Sequence, residues 1–187
     1  MKLTPCQTKE QLSTVEALYM RAFPREERKP FSVILEKAEE GSMEILTIEE
    51  ENTFLGLAIT ILFKDRVILD YLAISEDKRG QSVGTQTLAQ LKERYAGKRL
   101  IIEIEDPDEP AENTSDRIRR KNFYLRNGLF EMPFRILLFG VRMQVLCTER
   151  ISFEEYHEIF PAVFSERASK NVILLYKKRG RRHAFCF

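Results

Sequence analysis

The chain contains little cysteine, no tryptophan and no excess of charge of either sign. Its three cysteines, Cys6, Cys147 and Cys186, lie far apart, and their odd number argues against a disulfide framework and against a zinc site. Lysine and arginine number 30 against 29 acidic residues, so the net charge of +1 gives no overall attraction to nucleic acid. The composition therefore favours a reducing cytoplasm and predicts neither a metal ion nor a nucleic-acid partner.

Long apolar runs are also missing. No segment reaches the length of a membrane span, and the N-terminus lacks the basic-then-apolar pattern of a secretory signal. We therefore expect no membrane partner. The 187 residues, 43% of them hydrophobic, are enough for one α/β domain with a sizeable core.

The most informative stretch is an apolar segment followed by a polar, glycine-bearing loop. Val67 to Ile74 is almost wholly apolar, which predicts a strand buried on both faces. The loop Arg79–Thr85 follows, after which Leu88, Leu91 and Tyr95 recur at helical spacing. A helix start presents unpaired N–H groups and the positive end of the helix dipole, which together bind phosphate. The alternative is an ordinary strand-to-helix connection.

Short connections between the strands ahead of this loop predict antiparallel neighbours. The elements predicted there are a strand at Lys2–Pro5, a helix capped by Thr8 and Gln11 and ended by Pro24, a helix at Phe31–Glu40, and strands at Met43–Glu49, Phe54–Phe63 and Val67–Ile74.

Beyond the loop, a strand at Leu100–Glu105 should lie parallel to the strand before the loop, because a helix connects the two. Alternation along this strand places Glu103 and Glu105 on one face. A helix capped by Thr114 or Ser115 should begin near Asp116. The later elements predicted are a hairpin of Phe134–Phe139 and Val141–Cys147, a helix capped by Ser152 and Glu155 and interrupted by Pro161, a strand at Val172–Tyr176, and a disordered basic tail from Lys177 to His183.

No repeat or low-complexity linker separates these elements. We therefore expect one domain at residues 1–147, with a C-terminal helix and strand at residues 148–187 packed on it.

Two motifs in the chain resemble those of the GNAT superfamily, the acyl-CoA-dependent N-acetyltransferases. In the loop, Arg79, Ser82 and Gly84 take the places of the family's arginine or glutamine and of its small residues three and five positions later. Ser82 replaces the usual first glycine. The second motif, Phe123-Tyr-Leu-Arg-Asn-Gly-Leu-Phe130, is similar to the family's late helix with its tyrosine and following glycine.

This resemblance implies a GNAT-like α/β (α+β) fold, with a mixed central sheet that is mostly antiparallel, contains one splayed parallel pair and is flanked by helices. It also implies acetyl-CoA (coenzyme A) as cosubstrate. The backbone of Leu72, Ala73 and Ile74 would pair with its pantetheine arm, and Arg117 would either reach a cofactor phosphate or lie in solvent. The residues expected to hold the pyrophosphate are Arg79, Gly80, Gln81, Ser82, Val83, Gly84 and Thr85.

The reaction implied by the resemblance is transfer of an acetyl group to a primary amine in a ternary complex. Tyr124 corresponds to the general acid that protonates the sulfur of coenzyme A. Glu103 corresponds to the general base, acting directly or through water, and Glu105 is the competing candidate. A cysteine nucleophile has little support, because neither Cys6 nor Cys147 falls near a loop with a histidine partner.

The acceptor is expected to be a small-molecule amine or an amine of a protein. The acidic run Glu103–Glu112 favours a cationic acceptor, unless these carboxylates only face solvent. Two other functions stay open: a non-catalytic acyl-CoA-binding or regulatory protein on the same fold, and a dinucleotide-binding domain. The latter would need glycines where Ser82 and Thr85 stand. A homodimer is compatible with the sequence.

Overall fold

A computed structural model describes residues 1–177 of the chain, in two units that each have their own strands and helices. The first unit spans residues 1–102 and the second begins at Glu103. The division into residues 1–147 and 148–187 stays a prediction. The basic tail predicted from Lys177 to His183 lies, after its first residue, outside the described residues.

The first unit contains every element predicted for it, close to the predicted bounds. Strands β1 to β4 pair in chain order as antiparallel neighbours, and β4 pairs in parallel with β5. This arrangement confirms the predicted mixed sheet with one parallel pair among antiparallel strands. The elements are β1 (Lys2–Pro5), α1 (Lys9–Ala22), α2 (Phe31–Glu39), β2 (Met43–Glu50), β3 (Thr53–Phe63), β4 (Arg66–Ile74), α3 (Val83–Arg94) and β5 (Arg99–Glu105), the last of which continues into the second unit.

Helices cover both faces of the sheet in the first unit. The ring of Tyr71 on β4 packs edge-on against Tyr19 of α1, with ring centroids 4.8 Å apart. The next residue, Leu72, packs instead in the apolar cluster that contains Val83 of α3. Because successive strand residues point to opposite faces, α1 and α3 lie on opposite sides of β4.

Pairing of β4 with β5 covers only the first part of β4. The parallel register runs from Arg66 opposite Arg99 to Ile68 opposite Ile101, whereas β4 continues to Ile74. On its other side, β4 stays paired with β3 along its whole length. Within the described residues, no strand therefore pairs with the end of β4 on the side away from β3.

The connection between α1 and α2 is held on β4 by side chains at a bulge. The β3–β4 register shifts so that Asp70 is the extra residue of β4. Its carboxylate pairs with Lys29 Nζ at 2.7 Å. The neighbouring Tyr71 hydroxyl accepts from the backbone N–H of Lys29 and donates to the carbonyl of Glu27, both at 3.0 Å. The bulge thus fixes the segment that leads into α2.

The second unit contains a three-stranded antiparallel arrangement in which β6 pairs with both β7 and β8. Pro133 lies where the β6–β7 register is interrupted, as expected for a residue that cannot donate a strand hydrogen bond. After the end of β5, its elements are α4 (Thr114–Arg126), β6 (Phe130–Leu138), β7 (Val141–Cys147), α5 (Phe153–His157), α6 (Ile159–Val163), α7 (Glu166–Ser169) and β8 (Val172–Lys177).

Two details of the second unit differ from the sequence prediction. Helix α4 begins at Thr114, and Asn113 is its N-cap, so the predicted start near Asp116 is wrong. The Thr114 hydroxyl bonds the backbone of Ala111 instead of capping the helix. The predicted C-terminal helix is interrupted before Pro161, which lies in the first turn of α6, where its missing N–H needs no partner.

No helix in residues 1–177 is long and apolar enough to cross a membrane.

Gly56 on β3 lies opposite Ile74, and a Cβ atom there would come within 2.3 Å of the Ala73 carbonyl oxygen. We expect Gly56→Ala to lower the free energy of unfolding by about 1–3 kcal/mol, because backbone must shift to admit the methyl group. Thermal unfolding measures this as a fall of several degrees. Thr53→Ala, at an exposed position of the same strand, is the control, and equal unfolding temperatures for the two variants would contradict the prediction.

Candidate active site

The loop between β4 and α3 exposes a helix start that no side chain caps. Gly80 and Ser82 both adopt the left-handed conformation, with φ of 79° and 61°. The Ser82 side chain makes no capping hydrogen bond, whereas Thr8 caps α1 and Ser152 caps α5. The first N–H groups of a helix have no acceptor within the helix. At α3 these groups are consequently available to an anion.

Buried contacts anchor this helix start from below. Val83 packs against Ile48 and Leu55, and the Thr87 hydroxyl donates to the Val83 carbonyl at 2.8 Å. In contrast, residues 80–82 are exposed. The start of α3 therefore has a fixed position and an open face, which is the arrangement that a pyrophosphate group requires.

Two long side chains of the loop fold back onto its backbone. Arg79 Nε donates to the carbonyl of Ile74 at 3.2 Å, and Gln81 Nε2 donates to the carbonyl of Asp77 at 3.2 Å. These bonds give the loop a defined conformation. The predicted cofactor residues Leu72–Ile74 and Arg79–Thr85 are thus consecutive parts of one strand, loop and helix start in the first unit.

Glu103, the first predicted catalytic residue, lies near the end of β5 and is half-buried. The hydroxyl of Tyr156 on α5 donates to Glu103 Oε1 at 2.5 Å. Tyr156 is fully buried, with 0% of its surface exposed. Sequence reasoning placed Tyr156 on the apolar face of a helix after the Ser152 and Glu155 capping box, but no pattern in the chain linked it to Glu103.

Glu105, the competing candidate base, is engaged by two arginines of α4. Arg117 Nη2 lies 2.5 Å from Glu105 Oε1, and Arg120 Nη1 lies 3.7 Å from Oε2. The Arg117 side chain is only 14% exposed, so it does not lie in solvent. Both carboxylate oxygens of Glu105 are therefore engaged by arginine side chains of α4.

Two carboxylates of the acidic loop after β5 pair with arginines of its own unit. Asp106 and Arg135 are each 1% exposed, and Arg135 Nε lies 3.2 Å from Asp106 Oδ2. Further along the loop, Glu109 pairs with Arg142 at 2.8 Å. Sequence reasoning missed these pairs, because the arginines follow the acidic run by tens of residues. The pairs offset part of the negative charge that favoured a cationic acceptor.

Tyr124, the predicted general acid, is buried on α4 and 8% exposed. Burial raises the pKa of Tyr124 to about 12, although the positive charge of Arg120 acts in the opposite direction. Within the described residues, its hydroxyl has no hydrogen-bond partner, and its ring packs edge-on against Phe123. Tyr124 therefore keeps its proton at neutral pH and has a hydroxyl that is not committed to another protein group.

The second unit brings the candidate acid and base residues onto two adjoining parts of the chain. Glu103 and Glu105 lie on β5, and Tyr124 lies on α4 one helical turn after Arg120. Arg120 contacts Glu105, and its charge also acts on Tyr124. Arg120 therefore links the surroundings of Glu105 and of Tyr124.

Comparison with known proteins identifies relatives of this chain. A sequence model of the Acetyltransferase (GNAT) family matches residues 12–126. A curated protein of Bacillus subtilis (strain 168), named "Putative acetyltransferase YjbC", is 31% identical over 128 residues. That match covers 68% of this chain and 56% of the relative, so the chain spans only about half the length of the curated protein that it matches.

Solved structures of the same family share the fold. A GNAT-family protein from Bacteroides thetaiotaomicron has a TM-score of 0.71 at 21% identity, over 84% of this chain and 92% of its own. An aminoglycoside 6'-N-acetyltransferase complexed with coenzyme A has a TM-score of 0.62 at 13% identity, over 79% and 96%. A GNAT-family acetyltransferase from Elizabethkingia anophelis with acetyl-CoA bound has a TM-score of 0.53 at 15% identity, over 79% and 97%.

The left-handed conformation of Ser82 gives a stability prediction. We expect Ser82→Gly to raise the free energy of unfolding by about 0.5–1 kcal/mol, because glycine adopts a positive φ without crowding its Cβ atom. Ser82→Val should lower it, since a β-branched residue tolerates this conformation least. Chemical denaturation of the two variants measures both effects. A Ser82→Gly variant that is less stable than the wild type would contradict the prediction.

Proposed function

Because the chain belongs to the acetyltransferase (GNAT) family, we propose that it transfers the acetyl group of acetyl-CoA to a primary amine. One observation carries the proposal. The pairing of β4 with β5 ends at Ile68, and the strand then leads into a helix start without a side-chain cap. Coenzyme A carries peptide-like amides, which would pair with the open side of the strand, and a pyrophosphate, which would bind at the helix start.

The residues that would hold acetyl-CoA lie in the first unit. The amides of a pantetheine arm would pair with the backbone of the segment Leu72, Ala73 and Ile74 on the side away from β3. Within that segment, the Ala73 carbonyl lies close to Gly56 of β3 and the Ile74 carbonyl accepts from Arg79, which leaves Leu72 as the main partner. The N–H groups from Gly80 to Thr85 would bind the pyrophosphate, with the helix dipole of α3 behind them. Arg79 adds positive charge at the same loop.

The acid and base roles fall to residues of the second unit. When bound, acetyl-CoA supplies a thioester carbonyl that an amine nitrogen attacks. Glu103 accepts the proton of the amine, directly or through water, and Tyr124 donates its proton to the sulfur as the carbon–sulfur bond breaks. The Tyr124 proton is then restored from solvent.

We assign the base to Glu103 rather than to Glu105. Glu105 contacts two guanidinium groups of α4 through its two carboxylate oxygens, which holds its side chain against that helix. Glu103 accepts a hydrogen bond from the hydroxyl of Tyr156, which orients its carboxylate. The two glutamates therefore differ in partner chemistry although they lie on the same strand.

The cysteines of the chain favour direct transfer of the acetyl group to the amine over a covalent intermediate on the enzyme. Burial, together with the negative charge of Glu49, raises the pKa of Cys6 to about 11, so at neutral pH it is a thiol and a weak nucleophile. Cys147 is fully buried. Free, widely spaced cysteines also support our proposal of a cytoplasmic location.

The acceptor we propose is a primary amine, carried by a small molecule or by a protein. The ion pairs of Asp106 and Glu109 with arginines offset part of the acidic charge in that loop, so the acceptor need not be a polycation. A panel with a polyamine, an aminoglycoside, a lysine-containing peptide and a peptide with a free N-terminus covers the acceptor classes.

Ligand binding and turnover together test the proposed function. Acetyl-CoA at 100 times its dissociation constant should stabilise the protein by about 2.7 kcal/mol, which raises the unfolding temperature by several degrees. NAD should have no such effect. Release of free thiol from acetyl-CoA in the presence of the amine panel then measures turnover. A thermal shift without turnover on any amine would indicate a non-catalytic acyl-CoA-binding protein, and a shift with NAD alone would indicate a dinucleotide-binding domain.

Removal of the Tyr124 hydroxyl tests its role as the acid. We expect Tyr124→Phe to lower kcat by about 100-fold or more, because the departing thiolate loses its proton donor. The KM for acetyl-CoA and the thermal shift should stay near the wild-type values. Since its pKa is about 12, Tyr124 stays protonated up to strongly alkaline pH and should not limit the rate between about pH 7 and 10. An unchanged kcat in the variant would refute the assignment.

A further inference from the structure

We propose that Tyr156 is a positioning residue for the general base Glu103, an inference that rests on the function proposed above. Tyr156 lies on α5, beyond residues 12–126 that match the family. Its hydroxyl donates to Glu103 Oε1 at 2.5 Å. A segment of the chain outside the family match therefore holds the residue that we propose as the base.

The geometry restricts Tyr156 to an indirect role. With 0% of its surface exposed, Tyr156 does not touch a substrate. Its hydrogen bond to a carboxylate is short, as charge-assisted O–H···O bonds are. Tyr156 can therefore influence the reaction only through Glu103.

Packing around Tyr156 makes it a rigid donor. Its ring lies 5.2 Å from Phe160 and 6.1 Å from Phe134, measured between centroids, so it is enclosed by α6 and β6. The start of α5 is fixed by the capping box of Ser152 and Glu155. The hydroxyl consequently cannot turn away from Glu103 without disturbing several buried aromatic rings.

A fixed donor matters because the base must meet the amine proton in one orientation. A glutamate side chain on a strand has three rotatable bonds, and its carboxylate samples many directions when nothing holds it. The Tyr156 hydrogen bond limits that sampling. Misorientation of a reacting group by about 1 Å costs on the order of 100-fold in rate.

Tyr156→Phe tests the proposal, since it deletes the donor and keeps the packed ring. We expect kcat to fall by about 10- to 100-fold, the range expected for a lost hydrogen bond to a charged group. The KM for acetyl-CoA and the thermal shift caused by acetyl-CoA should stay near the wild-type values, because the proposed cofactor residues are unchanged.

A double-mutant cycle separates positioning from general stability. In the Glu103→Gln background, Tyr156→Phe should cause no further loss of kcat, since the residue through which Tyr156 acts is already inactive as a base. The matched control is Tyr95→Phe. Tyr95 is also buried and donates to a glutamate, Glu44, which Arg94 pairs with at the end of α3. This variant should keep wild-type kcat.

The possible outcomes show whether the positioning role of Tyr156 or the proposed acetyltransferase function is wrong. Wild-type kcat in Tyr156→Phe, or equal losses from Tyr156→Phe in the wild-type and Glu103→Gln backgrounds, overturns the positioning role alone. A loss in Tyr95→Phe as large as in Tyr156→Phe overturns it as well, because the effect would then follow from removal of any buried hydroxyl. Absence of turnover by the wild-type protein on every amine refutes the proposed function, and the positioning role falls with it.

Discussion

The need of every backbone N–H and C=O group for a partner shapes the first unit around β4. Its hydrogen bonds to β3 continue to Ile74, whereas those to β5 end at Ile68. Gly56 permits the close approach of β3 to Ala73, and Val83 secures the helix start that follows the loop. The end of β4 and the start of α3 therefore both offer backbone groups to the ligand with amides and phosphates that we propose.

In the second unit, the carboxylates near the end of β5 differ in the chemistry of their partners. Asp106 and Glu105 face guanidinium groups, which neutralise them and favour a structural role. Glu103 is bonded by a tyrosine hydroxyl, which orients its carboxylate. Three acidic residues within four positions of sequence therefore contact different partners, and we base the roles proposed for them on those partners.

The match to the acetyltransferase (GNAT) family model covers only part of the chain. The family match ends at residue 126, in the last turn of α4. The hairpin of β6 and β7, the helices that follow it and β8 lie beyond that point. Arg135 and Tyr156, which bind Asp106 and Glu103, belong to this later part. The partners of these two carboxylates therefore lie outside the range that the family model matches.

Local patterns in the sequence determined most of the elements, because apolar periodicity, capping boxes and glycine or proline stops act over a few residues. They also led to the predictions of a phosphate-binding loop at Arg79–Thr85 and of Glu103 and Tyr124 as catalytic residues. Only the tertiary structure decided the partners of the carboxylates. Tyr156 lies 53 positions from Glu103, and Arg135 follows Asp106 by a helix and part of a strand. Such contacts arise when distant elements pack, and no short-range pattern encodes them.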